Sequence, residues 1–242
     1  MRELLPPQSL IDLVGRGDFV AIGTEFLGHY TSVGALYPEA HVLDMGCGCG
    51  RMALPLSRYL TSGRYDGFDV VPDAIAWCRE HIAPEFPNFH FERVDAYNSF
   101  YNPDGSVHAE NYRFPYPDQT FDFAFASSLF THLVWAETRN YLAEAKRVLR
   151  HGGRAMFTFF LLTPESARLI SEGRSRVLFP VRSDRCYLAK ADDPAAVVAY
   201  ADDEVRELFA EAGLTIREIH LGRWPGRTSG LTTQDMIVAE RP

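Results

Sequence analysis

Val42-Leu43-Asp44-Met45-Gly46-Cys47-Gly48-Cys49-Gly50 decides the fold of this chain. His41 to Asp44 is a short apolar run that stops at a glycine cluster, so it reads as a buried strand. Arg51 to Leu60 follows with Met52, Leu56 and Tyr59 at helical spacing. Pro55 sits near the first turn, where backbone N–H groups lack intrahelical partners. A glycine loop between a buried strand and a helix is where open α/β sheets bind nucleotides. The glycines let the loop turn tightly and let a ligand touch the backbone. A dinucleotide fingerprint needs G-x-G-x-x-G, but counting from Gly46 the last position is Arg51. The pattern is instead D-x-G-x-G-x-G, with an acid two residues before the first glycine.

The same rhythm continues outward. Tyr65 to Val70 reads as a second strand ending on Asp69, and Pro72-Asp73 opens a helix to about Ile82. Phe89 to Val94 reads as a third strand, with Asp95 at its end. Residues 95–119 form a connection rich in Tyr, Asn, Pro and Asp, and such long connections are usually functional. Phe121, Phe123 and Phe125 alternate with Asp122, Ala124 and Ala126, the pattern of a strand covered on both faces. Ala136 to Arg150 is helical, Gly152-Gly153 ends it, and Arg154 to Leu162 is the next strand. Asp202 to Ala212 is a helix closed by Gly213. Leu214–His220 and Gln234–Glu240 are two final strands with no helix between them. Strands alternating with helices, then a closing strand pair, imply a doubly wound, mostly parallel sheet with one antiparallel member. Residues 1–242 read as one domain, with an N-terminal helical lid over 1–37 and a substrate-side insertion over 163–200. Helical pieces are expected at Ser9–Val14 and Glu25–Tyr37, with Gly15-Arg16-Gly17-Asp18-Phe19 between them as lid or connecting turn.

Three acids at successive strand ends make one constellation. Asp69 follows Asp44 by 25 residues and is placed to accept hydrogen bonds from ribose hydroxyls. Asp95 is placed to accept from an adenine amino group. Each acid alone reads equally as a strand-end cap; the set of three does not. These residues resemble the motifs of the class I S-adenosylmethionine-dependent methyltransferases, the small-molecule type with methyltransferase domains 11 and 25. Phe114-Pro115-Tyr116-Pro117-Asp118-Gln119-Thr120-Phe121-Asp122 resembles the family's approach to its fourth strand. Tyr141 to Leu149 and then His151-Gly152-Gly153-Arg154 resemble its helix and Gly-Gly turn, with His151 where proline is usual.

The resemblance covers roughly residues 40–240 and implies a Rossmann-like seven-stranded sheet of order 3-2-1-4-5-7-6, strand seven antiparallel. It implies S-adenosyl-L-methionine as cofactor and S-adenosyl-L-homocysteine as product. The loop from Asp44 through Gly46, Cys47 and Gly48 to Gly50 would hold the methionine end, and Asp69 the ribose. Asp95 and Ala96 would hold adenine, with Val70 packed on its ring. Ser127 and Ser128 would face the sulfonium. His132 is the candidate general base, on the rim after strand four; imidazole chemistry suits proton abstraction near neutrality. Phe130, Arg223 and Trp224 are candidate acceptor contacts, and six basic residues between Arg168 and Lys190 suggest an anionic group or a solvated face.

Composition narrows the partners. A net charge of −8 disfavours nucleic acid, whose binding rests on Lys and Arg. No run approaches the ~18 apolar residues of a membrane helix, and no signal peptide is visible, so a cytoplasmic protein is expected. The four cysteines read as free thiols, and no metal-ligand set accompanies Cys47 and Cys49. The sequence at the end of strand four, Ala126-Ser127-Ser128-Leu129, lacks the Asn/Asp-Pro-Pro-Tyr/Phe signature of many amino-methylating enzymes. The expectation is methyl transfer to an oxygen of a small molecule, a sugar or glycan or a secondary metabolite. Its rivals are a domain acting on protein or nucleic acid and a cofactor-binding module without catalysis. The sequence does not fix the oligomeric state, and a homodimer is compatible with it.

Overall fold

The computed structural model describes residues 4–15 and 17–242. Seven strands form the main sheet: β1 (His41–Met45), β2 (Arg64–Asp69), β3 (Phe89–Arg93), β4 (Phe121–Ala126), β5 (Leu149–Phe159), β6 (Thr215–His220) and β7 (Asp235–Glu240). Their order across the sheet is β3-β2-β1-β4-β5-β7-β6. β1 to β5 pair in parallel, and β7 runs antiparallel to both β5 and β6. This is the expected Rossmann-like order.

Helices cover both faces, as right-handed crossovers require. α2 (Phe19–Ser32), α3 (Ala53–Tyr59) and α4 (Pro72–His81) pack on Val42, Phe123 and Phe125. α5 (Trp135–Val148) and α7 (Asp202–Ala212) pack on Leu43, Met45, Ala124 and Ala126. The alternation along β4 explains this division, because successive side chains point to opposite faces. Phe121, Phe123 and Phe125 are at most 2% exposed. At about 1.5–3 kcal/mol for each fully buried side chain, they anchor this strand against displacement. Among the described residues, no helix is long and apolar enough to cross a membrane.

Two boundaries differ from the sequence reading. α2 begins at Phe19 rather than Glu25, because the Asp18 carboxylate caps it by accepting from Ala21 N at 2.7 Å. Arg16, in the turn expected before it, lies outside the described residues. β5 begins at Leu149, so Gly152-Gly153 lies within the strand rather than ahead of it. Gly152 takes φ +74°, and the β4–β5 register shifts between Phe121 and Phe123. The glycine pair makes a bulge where periodicity suggested a terminus.

The 163–200 segment is an ordered appendage. It carries α6 (Pro164–Ser171) and the strands Val181–Ser183, Cys186–Leu188 and Val198–Ala201, which form a four-stranded sheet with Leu161–Leu162. Much of its basic excess is neutralised locally. Arg182 pairs with Glu204 and Arg185 with Glu207, both on α7, and Arg168 pairs with Glu172. These pairs favour the solvated-face reading over an anion site.

Candidate functional site

A cavity of about 540 Å³ opens at the carboxyl ends of the central strands. Gly46 and Gly48 reach it from the loop after β1, Asp69 and Val70 from the end of β2, Ala96 from beyond β3, and Ser127 and Ser128 from beyond β4. These places lie far apart in sequence and meet because parallel strands direct all their carboxyl ends to one edge.

The loop after β1 is shaped by backbone conformation. Gly46, Gly48 and Gly50 have φ of +80°, +51° and +83°, a region L-residues rarely enter. A Cβ on Gly48 would stand 2.4 Å from Val14 Cγ1. The chain after α1 (Gln8–Leu13) therefore lies directly against this loop. Arg51 reinforces the contact by donating from Nη2 to the Gly15 carbonyl at 2.7 Å. Asp12, Leu13, Val14 and Gly15 all line the cavity.

Asp69 is tied to two backbone groups. One carboxylate oxygen accepts from Gly48 N at 2.8 Å and the other from Val71 N at 2.9 Å. Each oxygen has a second lone pair. The carboxylate thus holds the glycine loop to the start of α4 and keeps acceptor capacity on the cavity wall. Burial pushes its pKa up, and the backbone N–H groups act against that rise.

Ser128 takes φ +63°, which is strained for a non-glycine residue. Its N donates to Thr158 Oγ1 at 2.7 Å, and its hydroxyl donates to Gln234 Oε1 at 3.1 Å. Such strain costs on the order of 1–3 kcal/mol and persists where the surroundings over-determine it. Here the packed phenylalanines of β4 and the two hydrogen bonds supply that support.

His132 lines the cavity at the end of a short 3-10 turn, Phe130–His132. Its Nδ1 lies 2.9 Å from the carbonyl of Ala195, in the appendage. A carbonyl only accepts, so Nδ1 carries the proton in the neutral ring and Nε2 carries the lone pair. Among the described residues, Nε2 has no hydrogen-bond partner, and Tyr101 packs edge-on against the ring at 5.9 Å.

The remaining predicted residues lie outside the lining. Cys47 and Gly50 shape the loop from behind: Cys47 is 4% exposed, and a Cβ on Gly50 would press on Ile82 at 2.5 Å. Asp95 turns outward, where its carboxylate accepts from the Ser106 hydroxyl and, at 3.3 Å, from Ser106 N. This is the strand-end cap that an isolated acid suggests, and its chain neighbours Val94 and Ala96 reach the cavity instead. Phe130 is fully buried between Phe157 and Phe159. Arg223 donates to the Gly230 carbonyl at 2.8 Å. Trp224 is buried beside Phe160 and Phe179. Its Nε1 donates at 2.6 Å to Asp235, which also accepts from Leu161 N and Gly222 N. Burial lifts the Asp235 carboxyl to about 6 against these donors. The Gly-Arg-Trp loop is thus pinned to the sheet, and Phe160, which lines the cavity, packs edge-on against Trp224.

Asp44 stands behind the loop, 1% exposed, hydrogen-bonded to the Tyr65 hydroxyl at 2.7 Å. Burial raises its pKa from 3.8 to about 8, so the carboxyl is mainly neutral at pH 7. A group raised on folding adds stability in full below its unfolded value. That contribution is lost as pH climbs through the folded value. We expect the melting temperature to fall between pH 5 and 8.5, with Asp44 supplying a slope of at most about 1.4 kcal/mol per pH unit. Asp44→Asn mimics the neutral acid and should flatten this decline. An unchanged slope in the variant would show that Asp44 is ionised in the fold.

Sequence reading missed several lining residues: Tyr97, Asn98, Phe100 and Tyr101 from the long connection, Phe160, Val177 and Val197, and Gln234 just before β7. The aromatic run in the connection was the available signal; Gln234 had none.

A family model described as a methyltransferase domain matches residues 42–153. Over 132 residues the chain is 30% identical to a fatty-acid O-methyltransferase of Mycolicibacterium smegmatis, covering 54% of this chain and 41% of that protein. It is 28% identical over 134 residues to a phthiotriol/phenolphthiotriol dimycocerosates methyltransferase of Mycobacterium leprae, covering 54% and 42%. The matched stretch spans about two fifths of the length of each relative. Among solved structures, a protein from Pyrococcus horikoshii aligns with a TM-score of 0.65 at 17% identity, over 95% of this chain and 93% of that one. That likeness speaks for the fold, which hosts its chemistry in grafted sites.

Proposed function

We propose that this chain is a class I S-adenosylmethionine-dependent methyltransferase that transfers a methyl group to an oxygen of a small-molecule acceptor. The observation behind this reading is the convergence of Gly46, Gly48, Asp69, Val70, Ala96, Ser127 and Ser128 on one cavity. S-adenosylmethionine supplies a methyl group already activated on a sulfonium sulfur. The residues fit that cofactor. The glycines of the loop offer backbone to its amino-acid end, and Asp69 keeps lone pairs for ribose hydroxyls. Val70 and Ala96 offer an apolar slot for the adenine ring.

The protein's own work is alignment, exclusion of water and proton transfer. Alignment can supply about 7–11 kcal/mol. The aromatic connection and the segment after α1 wall the cavity and limit water. His132, with its lone pair on Nε2, takes the proton from the acceptor oxygen. The name of the fatty-acid O-methyltransferase supports oxygen as the acceptor atom. Of the two acceptor classes expected from sequence, a secondary metabolite fits the largely apolar walls better than a sugar or glycan.

Calorimetric titration with S-adenosylhomocysteine, and with NAD as a control, tests the cofactor reading. A one-to-one isotherm with the former and none with the latter is expected. Absence of binding to S-adenosylhomocysteine would remove the basis of the proposal.

A further inference from the structure

Seven large apolar side chains are exposed among the described residues, and single exposed ones need no explanation. Two of them, however, meet at one cavity, and a third adjoins it in the chain. Leu13 and Phe100 line the cavity while remaining 38% and 63% exposed. Leu178, 54% exposed, is the chain neighbour of Val177, which also lines it. These residues come from α1, the connection after β3 and the appendage, three segments far apart in sequence. Each leaves apolar surface open to solvent.

Volume gives the patch an occupant. Pockets of roughly 300–1,000 Å³ hold one drug-sized ligand. A cavity of about 540 Å³ that takes the cofactor has room for little more than the reacting end of an acceptor. The rest of the acceptor must lie across the mouth. Ser128, Thr131, His132 and Gln234 bring polar groups to the wall near the end of β4, whereas Leu13 and Phe100 bring exposed hydrocarbon from α1 and the connection after β3. The arginines Arg182 and Arg185 of the appendage are already engaged by Glu204 and Glu207, so they offer no ready seat for an anionic body.

We propose that the acceptor is an amphipathic molecule whose oxygen enters the cavity while a single hydrocarbon chain lies across the rim formed by Leu13, Phe100 and Leu178. This rests on the methyl-transfer reading above and names the acceptor class for that same site.

The test uses the full chain saturated with S-adenosylhomocysteine and titrated with 1-alkanols and n-alkanoic acids of increasing length, with methyl glucoside as the polar control. Affinity should rise roughly two- to fourfold per added methylene until the chain outruns the rim. Leu178→Ser and Phe100→Ser should each weaken that length dependence, and Leu178→Ser should keep the S-adenosylhomocysteine affinity of the parent. Length-independent binding, or methyl glucoside binding as tightly as the long chains, would overturn the acceptor class. Failure of S-adenosylhomocysteine itself to bind would instead overturn the cofactor reading, which separates the two failures.

Discussion

Replacing Asp69 with alanine is expected to weaken S-adenosylhomocysteine binding by about 10²- to 10⁴-fold. Hydrogen bonds to a charged group are worth about 1.5–3 kcal/mol each, and two to the ribose give that range. The carboxylate also joins Gly48 N to Val71 N, so its loss frees the glycine loop as well. The cost to folding should be smaller. The lost tie at the start of α4 resembles the loss of a helix cap, about 1 kcal/mol, which is roughly 2–4 °C in melting temperature for a chain of this size. Calorimetry and thermal melting on the same sample therefore separate the roles. An unchanged dissociation constant would exclude Asp69 from the ligand site. A collapse of melting temperature as large as the affinity loss would make it a folding residue. Because burial raises its pKa, the wild-type affinity should also fall on acidification sooner than an ordinary carboxylate would predict.

The contrast between Asp69 and Asp95 shows what a sequence can disclose about such a site. Both acids end a strand of the parallel sheet, and the fold follows from that pattern because strand periodicity and glycine punctuation are local properties. Placement at a strand end does not fix where a side chain points. Asp69 is turned inward by two backbone N–H groups, Gly48 N from the glycine loop and Val71 N at the start of α4. Asp95 is turned outward by Ser106, eleven residues away across a two-strand contact, Ala96–Tyr97 with Val107–His108. No periodicity announces that contact. Trp224 and Phe130 illustrate the same limit. Each lies next to the rim in sequence, yet each satisfies a packing demand from elements distant in the chain. The position of His132 on the cavity wall was legible because the end of β4 faces the cavity, but its tautomer depends on Ala195, 63 residues later. Long-range contacts with the appendage therefore settle the chemistry of a site whose outline was local.

That dependence makes His132 the sharpest test of the reaction. A general base contributes about 10²- to 10⁴-fold, so His132→Ala should lower kcat by that factor while leaving S-adenosylhomocysteine affinity near the parent value. Alanine also removes the tie to the appendage, worth about 0.5–1.5 kcal/mol for one hydrogen bond. A drop of tenfold or less would therefore have two explanations. His132→Gln distinguishes them, because its side-chain amide donates to the Ala195 carbonyl as Nδ1 does but takes up no proton at neutral pH. If proton transfer is the role, His132→Gln is as slow as His132→Ala. If the tie is the role, His132→Gln recovers the parent rate. Recovery would leave alignment alone to drive the transfer, as it can for an acceptor oxygen that is already ionised, such as a carboxylate. The outcome thus reads the acceptor's chemistry as well as the enzyme's: a need for Nε2 points to a hydroxyl, and indifference to it points to a carboxylate at the head of the hydrocarbon chain.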